Sequence, residues 1–455
     1  MRRSLRCSLL LTALLAGACG GDTVAPDAGT PEDGGGTDAN RPDTGVDGGP
    51  PPNDTFATAT EIALGDDPIA DEINPRSDVD FFTFEGTAGQ WVAITTASDD
   101  TVTERVDTVI TLYDASMTQI AENDDAQPRA DVDSEIVIKL PATGTYYVEV
   151  QEFSTWAPDM VDDGPQGGPT YDYELSVFEL TDAAPRVTVD PETGDDAASA
   201  TMADVAMNVG FLLGDFDSPT DVDVFRFTSG GRPEMSQLMQ VHVMPAGPDG
   251  YGATRSAARV WVTDADGTTI LARGTITEDG RSIQPALMVA GPHLLWIEAP
   301  GGTAGANDHY VVKIFFGTDN PLETVAPNET LETATPLVLS PIEGGMGENG
   351  FVLAQLAEGD VDYFGFDVMA GRTVSIACGS RTAGSGVLDL TAELRAMDDS
   401  VLTMDVETAT ENVFIDSFVV PAAGRYYLRL SSSGVDPEVT GTWVRCGVTA
   451  APPAP

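Results

Sequence analysis

The chain has 455 residues, room for about three domains of ordinary size, and its apolar fraction of 42% is enough for packed cores. Against 73 Asp and Glu stand 22 Lys and Arg, a formal net charge of −51. Such a field repels nucleic acid and anionic lipid headgroups; it attracts cations, divalent ones above all, and keeps a protein soluble whether or not it binds one.

Residues 1–18 read as an export signal. Arg2, Arg3 and Arg6 give a positive start, Leu9 to Leu15 is an apolar run too short to span a bilayer, and small residues lead into Cys19. Leu15-Ala16-Gly17-Ala18-Cys19 resembles the lipobox of bacterial lipoproteins, except that Ala16 stands where a leucine is usual and Leu15 lies one residue further out. The resemblance implies cleavage before Cys19 and a lipid on its sulfur. With Gly20 next, rather than Asp, it also implies an outer-membrane or cell-surface destination in a Gram-negative bacterium. An ordinary signal cut near Ala18, releasing a soluble protein, is the alternative. Cys7 leaves with the leader, so Cys378 and Cys446 remain as an even pair, which in an oxidising compartment reads as a disulfide. Both fall on the inward phase of their strands, a placement that allows a bridge across the core without fixing their separation.

Residues 19–52 hold almost no large apolar side chain, and Asp22, Asp27, Glu32, Asp33, Asp38, Asp43 and Asp47 repel one another. Nothing there offsets the entropy of ordering, so this segment is expected to be an extended, disordered tether.

Three phrases then return in the same order at domain-sized spacing. Asp78-Val-Asp-Phe-Phe-Thr-Phe84 comes back as Asp221-Val-Asp-Val-Phe-Arg-Phe227 and Asp360-Val-Asp-Tyr-Phe-Gly-Phe366. Leu112 to Ile120 is echoed by Val262 to Ile270 and more loosely by Leu394 to Leu402. Leu140-Pro-Ala-Thr-Gly-Thr-Tyr-Tyr-Val148 is matched by Val420-Pro-Ala-Ala-Gly-Arg-Tyr-Tyr-Leu428, and in the middle copy by Val289-Ala-Gly-Pro-His-Leu-Leu295. Within each copy apolar residues alternate, as in Tyr171, Tyr173, Leu175 and Val177, between clusters of Gly, Pro and Asp. That is the pattern of half-buried antiparallel strands, seven or eight to a copy. The chain therefore reads as all-β: three tandem antiparallel, jelly-roll-like β-sandwich modules at 53–182, 183–319 and 320–455, the second diverged.

These phrases resemble the bacterial pre-peptidase C-terminal domain, a β-sandwich appended to many secreted proteases and collagenases. Where that family usually accompanies a catalytic domain, none is visible here. No nucleophile elbow, His-Glu-x-x-His or phosphate-binding glycine loop occurs. Of the three histidines, His293 takes the place of Tyr146 and Tyr426, and His242 and His309 read as ordinary strand residues.

One acidic constellation remains. Each copy opens with a polar phrase, Asn53-Asp54, Asp195-Asp196 or Asn328-Glu329, followed some thirty residues later by Asp78 and Asp80, Asp221 and Asp223, or Asp360 and Asp362. In collagenase relatives of the resembled family a matching phrase and early aspartates form a calcium site, so the resemblance implies Ca2+ at each module's leading end; turn capping is the alternative. Tyr147 and Tyr427, on the outward phase of their strands, form a candidate binding face, with cross-strand pairing as the alternative. The expectation is a non-enzymatic, lipid-anchored surface protein that binds an extracellular polymer or protein. It touches the membrane only through its lipid and does not bind nucleic acid. A spacer or accessory to a separately encoded secreted peptidase is the second reading, and a hydrolase using an unrecognised pair of carboxylates the third.

Overall fold

The computed structural model describes residues 53–452 apart from 99–104, 127–131, 161–163, 182–183, 207, 231–234, 245–246, 249, 251–258, 276–281, 288, 300–307, 322–327, 343–346 and 409–410. The expected signal, Cys19 and the tether lie outside the described residues. By their contacts the described residues form two compact units, one ending at Glu179 and one from Leu180 onward that holds the second and third modules and also takes in Val137–Lys139.

The alternating runs become strands. Module 1 has β1 (Thr60–Glu61), β2 (Ile69–Glu72), β3 (Val79–Gly86), β4 (Trp91–Ser98), β5 (Thr108–Tyr113), β6 (Gln119–Asn123), β7 (Glu135–Lys139), β8 (Gly144–Glu152) and β9 (Asp172–Glu179). They make two sheets, β1-β3-β8-β5-β6 and β2-β9-β4-β7. Without β1 this is the eight-stranded jelly-roll order, in which consecutive strands switch sheets except at the β5-β6 hairpin. Period-two burial closes the core: Phe82 and Phe84 of β3 point inward with Tyr146, Val148 and Val150 of β8.

Module 2 repeats the order with β10 (Val187–Val189), β11 (Thr201–Met202), β12 (Val209–Asp215), β13 (Val222–Ser229), β14 (Met235–Val243), β15 (Arg259–Asp264), β16 (Ile270–Thr275), β17 (Ser282–Ile283), β18 (Ala286–Leu287), β19 (Gly291–Glu298) and β20 (His309–Pro321). Its sheets are β11-β13-β19-β15-β16 and β10-β12-β20-β14-β17, with β18 also on β14. Module 3 is built from β21 (Thr335–Pro336), β22 (Ser340–Pro341), β23 (Glu348–Gln355), β24 (Val361–Val368), β25 (Thr373–Gly379), β26 (Val387–Leu388), β27 (Thr391–Arg395), β28 (Val401–Val406), β29 (Val413–Val419), β30 (Gly424–Ser431), β31 (Gly434–Val435) and β32 (Trp443–Ala451). Its sheets run β21-β24-β30-β27-β28 and β22-β23-β32-β25-β29, with β26 and β31 paired apart. A β-bulge falls at the same point of all three, after Leu112, Val262 and Leu394, where the second repeated phrase begins.

Three expectations are refined. The sandwiches are not wholly antiparallel: the short strands β1, β10, β11 and β21 lie parallel to β3, β12, β13 and β24, because the chain crosses to the other sheet and back before pairing. Strand β20 runs to Pro321, past the expected boundary at 319. The Cys378–Cys446 disulfide forms within one sheet rather than across the core. The two cysteines are directly opposite on β25 and β32, with Cα atoms 4.1 Å apart, and opposed residues on neighbouring strands share a face.

In the second unit, module 3 covers the outer edge of β16. Arg273 N–H donates to the Gly384 carbonyl and Thr440 N–H to that of Ile270, both at 2.9 Å. The Arg273 guanidinium meets Asp436 and Glu438 at 2.8 and 2.7 Å. Gly441 is required at this junction, since a Cβ there would lie 2.1 Å from the Leu271 carbonyl oxygen. Among the described residues no helix is long and apolar enough to cross a membrane.

Candidate functional site

The leading ends of the modules bring the acidic phrases to the start of β3, β13 and β24. In each, one main-chain bond joins the opening phrase to the strand: Phe81 N–H donates to Asn53, Val224 N–H to Gly194, and Tyr363 N–H to Asn328, at 2.8 to 2.9 Å. This register corrects the middle copy. Gly194, not Asp195, stands in the place of Asn53, and Asp196 corresponds to Thr55.

The paired aspartates divide into two roles. The first of each pair caps the preceding turn. Asp78 accepts from its neighbour Val79 and from Asn74, Asp221 from Val222 and Asp217, and Asp360 from Val361 and Ala357. This is the turn chemistry the sequence offered as an alternative. The second of each pair, Asp80, Asp223 or Asp362, is on the inward phase of its strand and buried.

A tyrosine from the last strand of the module meets that buried carboxylate in two modules. Tyr173 O–H donates to Asp80 at 2.6 Å, and Tyr310 O–H to Asp223 at 2.7 Å. Burial, then the charge of Asp71, raises the Asp80 pKa to about 8, although the Tyr173 hydrogen bond opposes the shift. Burial and the neighbouring Asp190 raise Asp223 to about 9, although the Tyr310 hydrogen bond opposes the shift. Tyr310 leans over Gly214, where a Cβ would meet its hydroxyl at 2.3 Å. In module 3 the equivalent of the tyrosine is Val444. The alignment is fixed by the bond two residues earlier, Ile73 N–H to Tyr171, Phe216 N–H to Asp308 and Leu356 N–H to Thr442.

Asp71, which sequence reasoning passed over, completes the module 1 group: Asn53 Nδ2 donates to its carboxylate at 3.2 Å. Asp54 and Asp78 both act on Asp80 by charge. These are hard oxygen donors, chemically suited to calcium, and the burial of unneutralised carboxylates is what a cation would relieve. Among the described residues, however, no group of three or more His, Cys, Asp or Glu side chains is gathered closely enough to hold a metal ion. Asp54, Asp195, Asp196 and Glu329 are exposed. The signal for the buried carboxylates was in the sequence, since Asp80 shares the period-two phase of Phe82 and Phe84.

The candidate aromatic residues are partly exposed. Tyr147 is half-buried and packs edge-on against Phe56, which also meets Phe81 and Tyr113. Tyr427 is half-buried and lies opposite Gly365. On module 2 the Trp261 ring is stacked between Trp296 and the Arg259 guanidinium. His293 does take the tyrosine's place: Tyr146 and Tyr426 donate to the carbonyls of Ala142 and Ala422, and His293 Nε2 meets that of Val289 at 3.0 Å, each four residues back. His242 and His309 lie on β14 and β20 as strand residues, and burial beside Lys313 lowers the His242 pKa to about 4.

Residues 78–152 match the bacterial pre-peptidase C-terminal domain family, so one domain of that family is present. A probable subtilase-type serine protease of Deinococcus radiodurans is 37% identical over 117 residues, 26% of this chain and 16% of that protein. Among solved structures, tandem CBM51 modules of a family 98 glycoside hydrolase from Streptococcus pneumoniae align at 14% identity. They cover 52% of this chain and 83% of theirs, with a TM-score of 0.18. The CUB1-EGF-CUB2 region of human MASP-1/3 aligns at 8% identity over 53% of this chain and 99% of its own, with a TM-score of 0.15. Likenesses at that level carry no argument about function.

Proposed function

We propose that the chain is a non-enzymatic, lipid-anchored protein of the outer membrane or cell surface, built of three pre-peptidase C-terminal-like sandwiches that serve binding or adhesion. Cys19 carries the lipid and 19–52 is the tether. Calcium is the proposed stabilising ion at the leading end of module 1, where Asn53, Asp71 and Asp80 supply oxygens that would have to draw together to hold it, with Asp54 and Asp78 beside them. The observation that carries the reading is that the chemistry-bearing side chains serve the fold: the aspartates cap turns or pair with buried tyrosines, and the aromatics stack on each other. The exposed apolar side chains of module 3 supply a contact surface instead. An accessory role beside a separately encoded secreted peptidase is the second reading, favoured by the protease relative.

The test uses the purified chain against casein, nitrophenyl esters and soluble polysaccharides, then in sedimentation with insoluble polymers, and cells fed labelled palmitate. No hydrolysis, retention on a polymer or partner, and label lost with Cys19→Ala are expected. Hydrolysis abolished by changing one carboxylate would overturn the non-enzymatic reading, and an unlabelled chain would overturn the anchor.

A further inference from the structure

The three modules share one edge of one sheet, formed by β6, β16 and β28, and the chain treats the last two differently. The β16 edge is a protein-docking edge within the chain: module 3 takes the outward N–H of Arg273 and the outward carbonyl of Ile270. Strand β28 is the terminal strand of its sheet, and no further strand pairs with it among the described residues. The shared bulge aligns the two strands. Arg273 lies opposite Trp261 and Met404 opposite Glu393, each one residue before the bulge, so Met404 occupies the docking position of Arg273.

The side chains change with the partner. Where Arg273 reaches two carboxylates, β28 presents Val401, Met404 and Val406, which are 45%, 50% and 42% exposed, beside Phe414 at 58%. An open strand with apolar side chains carries neither Lys nor Pro, two of the devices that keep edges apart, and relies on its bulge and on Asp405 alone. Its one carboxylate, Asp405, is turned inward and accepts from Phe414 N–H at 2.7 Å.

We propose that β28 pairs antiparallel with β28 of a second copy of this chain, about a two-fold axis at Met404, joining two five-stranded sheets into one. By its alignment with Arg273, Met404 points its N–H outward, and an antiparallel pair centred there exchanges both main-chain bonds. That register sets Met404 against its own copy and Thr403 against the partner's Asp405, so no carboxylate faces another. A two-fold axis closes the assembly at two copies. The inference rests on the reading of the chain as a binding protein and names its partner.

The experiment is sedimentation velocity on the whole purified chain, in about 0.15 M salt so that long-range repulsion is screened beyond about 8 Å. A monomer–dimer equilibrium is expected between about 1 and 100 μM. Met404→Lys and Val406→Lys are expected to raise the dissociation constant roughly tenfold or more with melting unchanged. Each lysine reduces the net negative charge, so that weakening cannot come from global repulsion. Met404→Cys is expected to give a covalent dimer on mild oxidation, beyond any formed by the unsubstituted chain. A monomer throughout the range, or a dimer indifferent to both lysines and not trapped by the cysteine, overturns the pairing. Retention on a polymer by a monomeric chain would leave the binding reading standing and sink this one alone.

Discussion

Asp80→Asn separates a buried acid from a buried salt. The carboxyl of Asp80 is buried and its folded pKa lies at about 8, against an ordinary value of 3.8. Between those values the folded chain keeps a proton that the unfolded chain releases. Its contribution to stability is thus fully present below about pH 4 and is lost as pH rises towards 8. Each pH unit in that window removes about 1.4 kcal/mol, so from about pH 5 to about pH 7 module 1 loses on the order of 3 kcal/mol through this group. Asparagine keeps an oxygen for the Tyr173 hydroxyl and cannot ionise. Melting in chelator at a series of pH values should show the parent falling relative to the variant by that amount. Calcium should then raise the parent at pH 8 and leave the variant where it was, because a ligand of the folded state alone stabilises it. A variant whose pH slope equals that of the parent would refute the buried-acid argument, whatever calcium does.

Asp223→Asn should behave alike in the second unit, with the window extending to about pH 9; comparing its melting with the parent at pH 6 and 8 checks the sign. His293→Tyr, which restores the hydroxyl-to-carbonyl bond of the other two corners, should stabilise the second unit by about 1 kcal/mol in denaturant titration. Replacing Cys378 and Cys446 together by alanine opens a loop with a sequence separation of 68 and should cost about 4 kcal/mol by equilibrium unfolding. Arg273→Ala removes the contacts to Asp436 and Glu438 and should split one calorimetric transition of the second unit into two.

The alternation of Tyr171, Tyr173, Leu175 and Val177 was enough to place a strand and its inward face, and the repeated phrases were enough to align three sandwiches. The corner role of His293 was legible too, because its neighbours keep the spacing of Leu140 to Tyr146. The couple between Tyr173 and Asp80 was not, since the residues are 93 apart and only the sheet order brings the two strands together. The same holds for the disulfide: inward phase is visible in sequence, but whether two inward residues face across the core or sit side by side depends on which strands are neighbours. The middle copy's opening phrase was read one residue late because Asp195-Asp196 resembles Asn53-Asp54 in charge. What fixes the register is the carbonyl of Gly194, which has no side chain to show it.

In every module the last strand to appear in the chain, β9, β20 or β32, lies between two earlier ones, joining β2 to β4, β12 to β14 and β23 to β25. A chain that emerges with its N-terminus first, from a ribosome or through a membrane pore, therefore carries two unjoined half-sheets until that strand arrives. Completion comes as a single late event over long loops, slow by the entropy of closure. Until then the strand edges on either side of the gap stand open, and a stalled or clipped chain would present them to its neighbours. Each module thus passes through an aggregation-prone stage that ends only when its final strand is delivered.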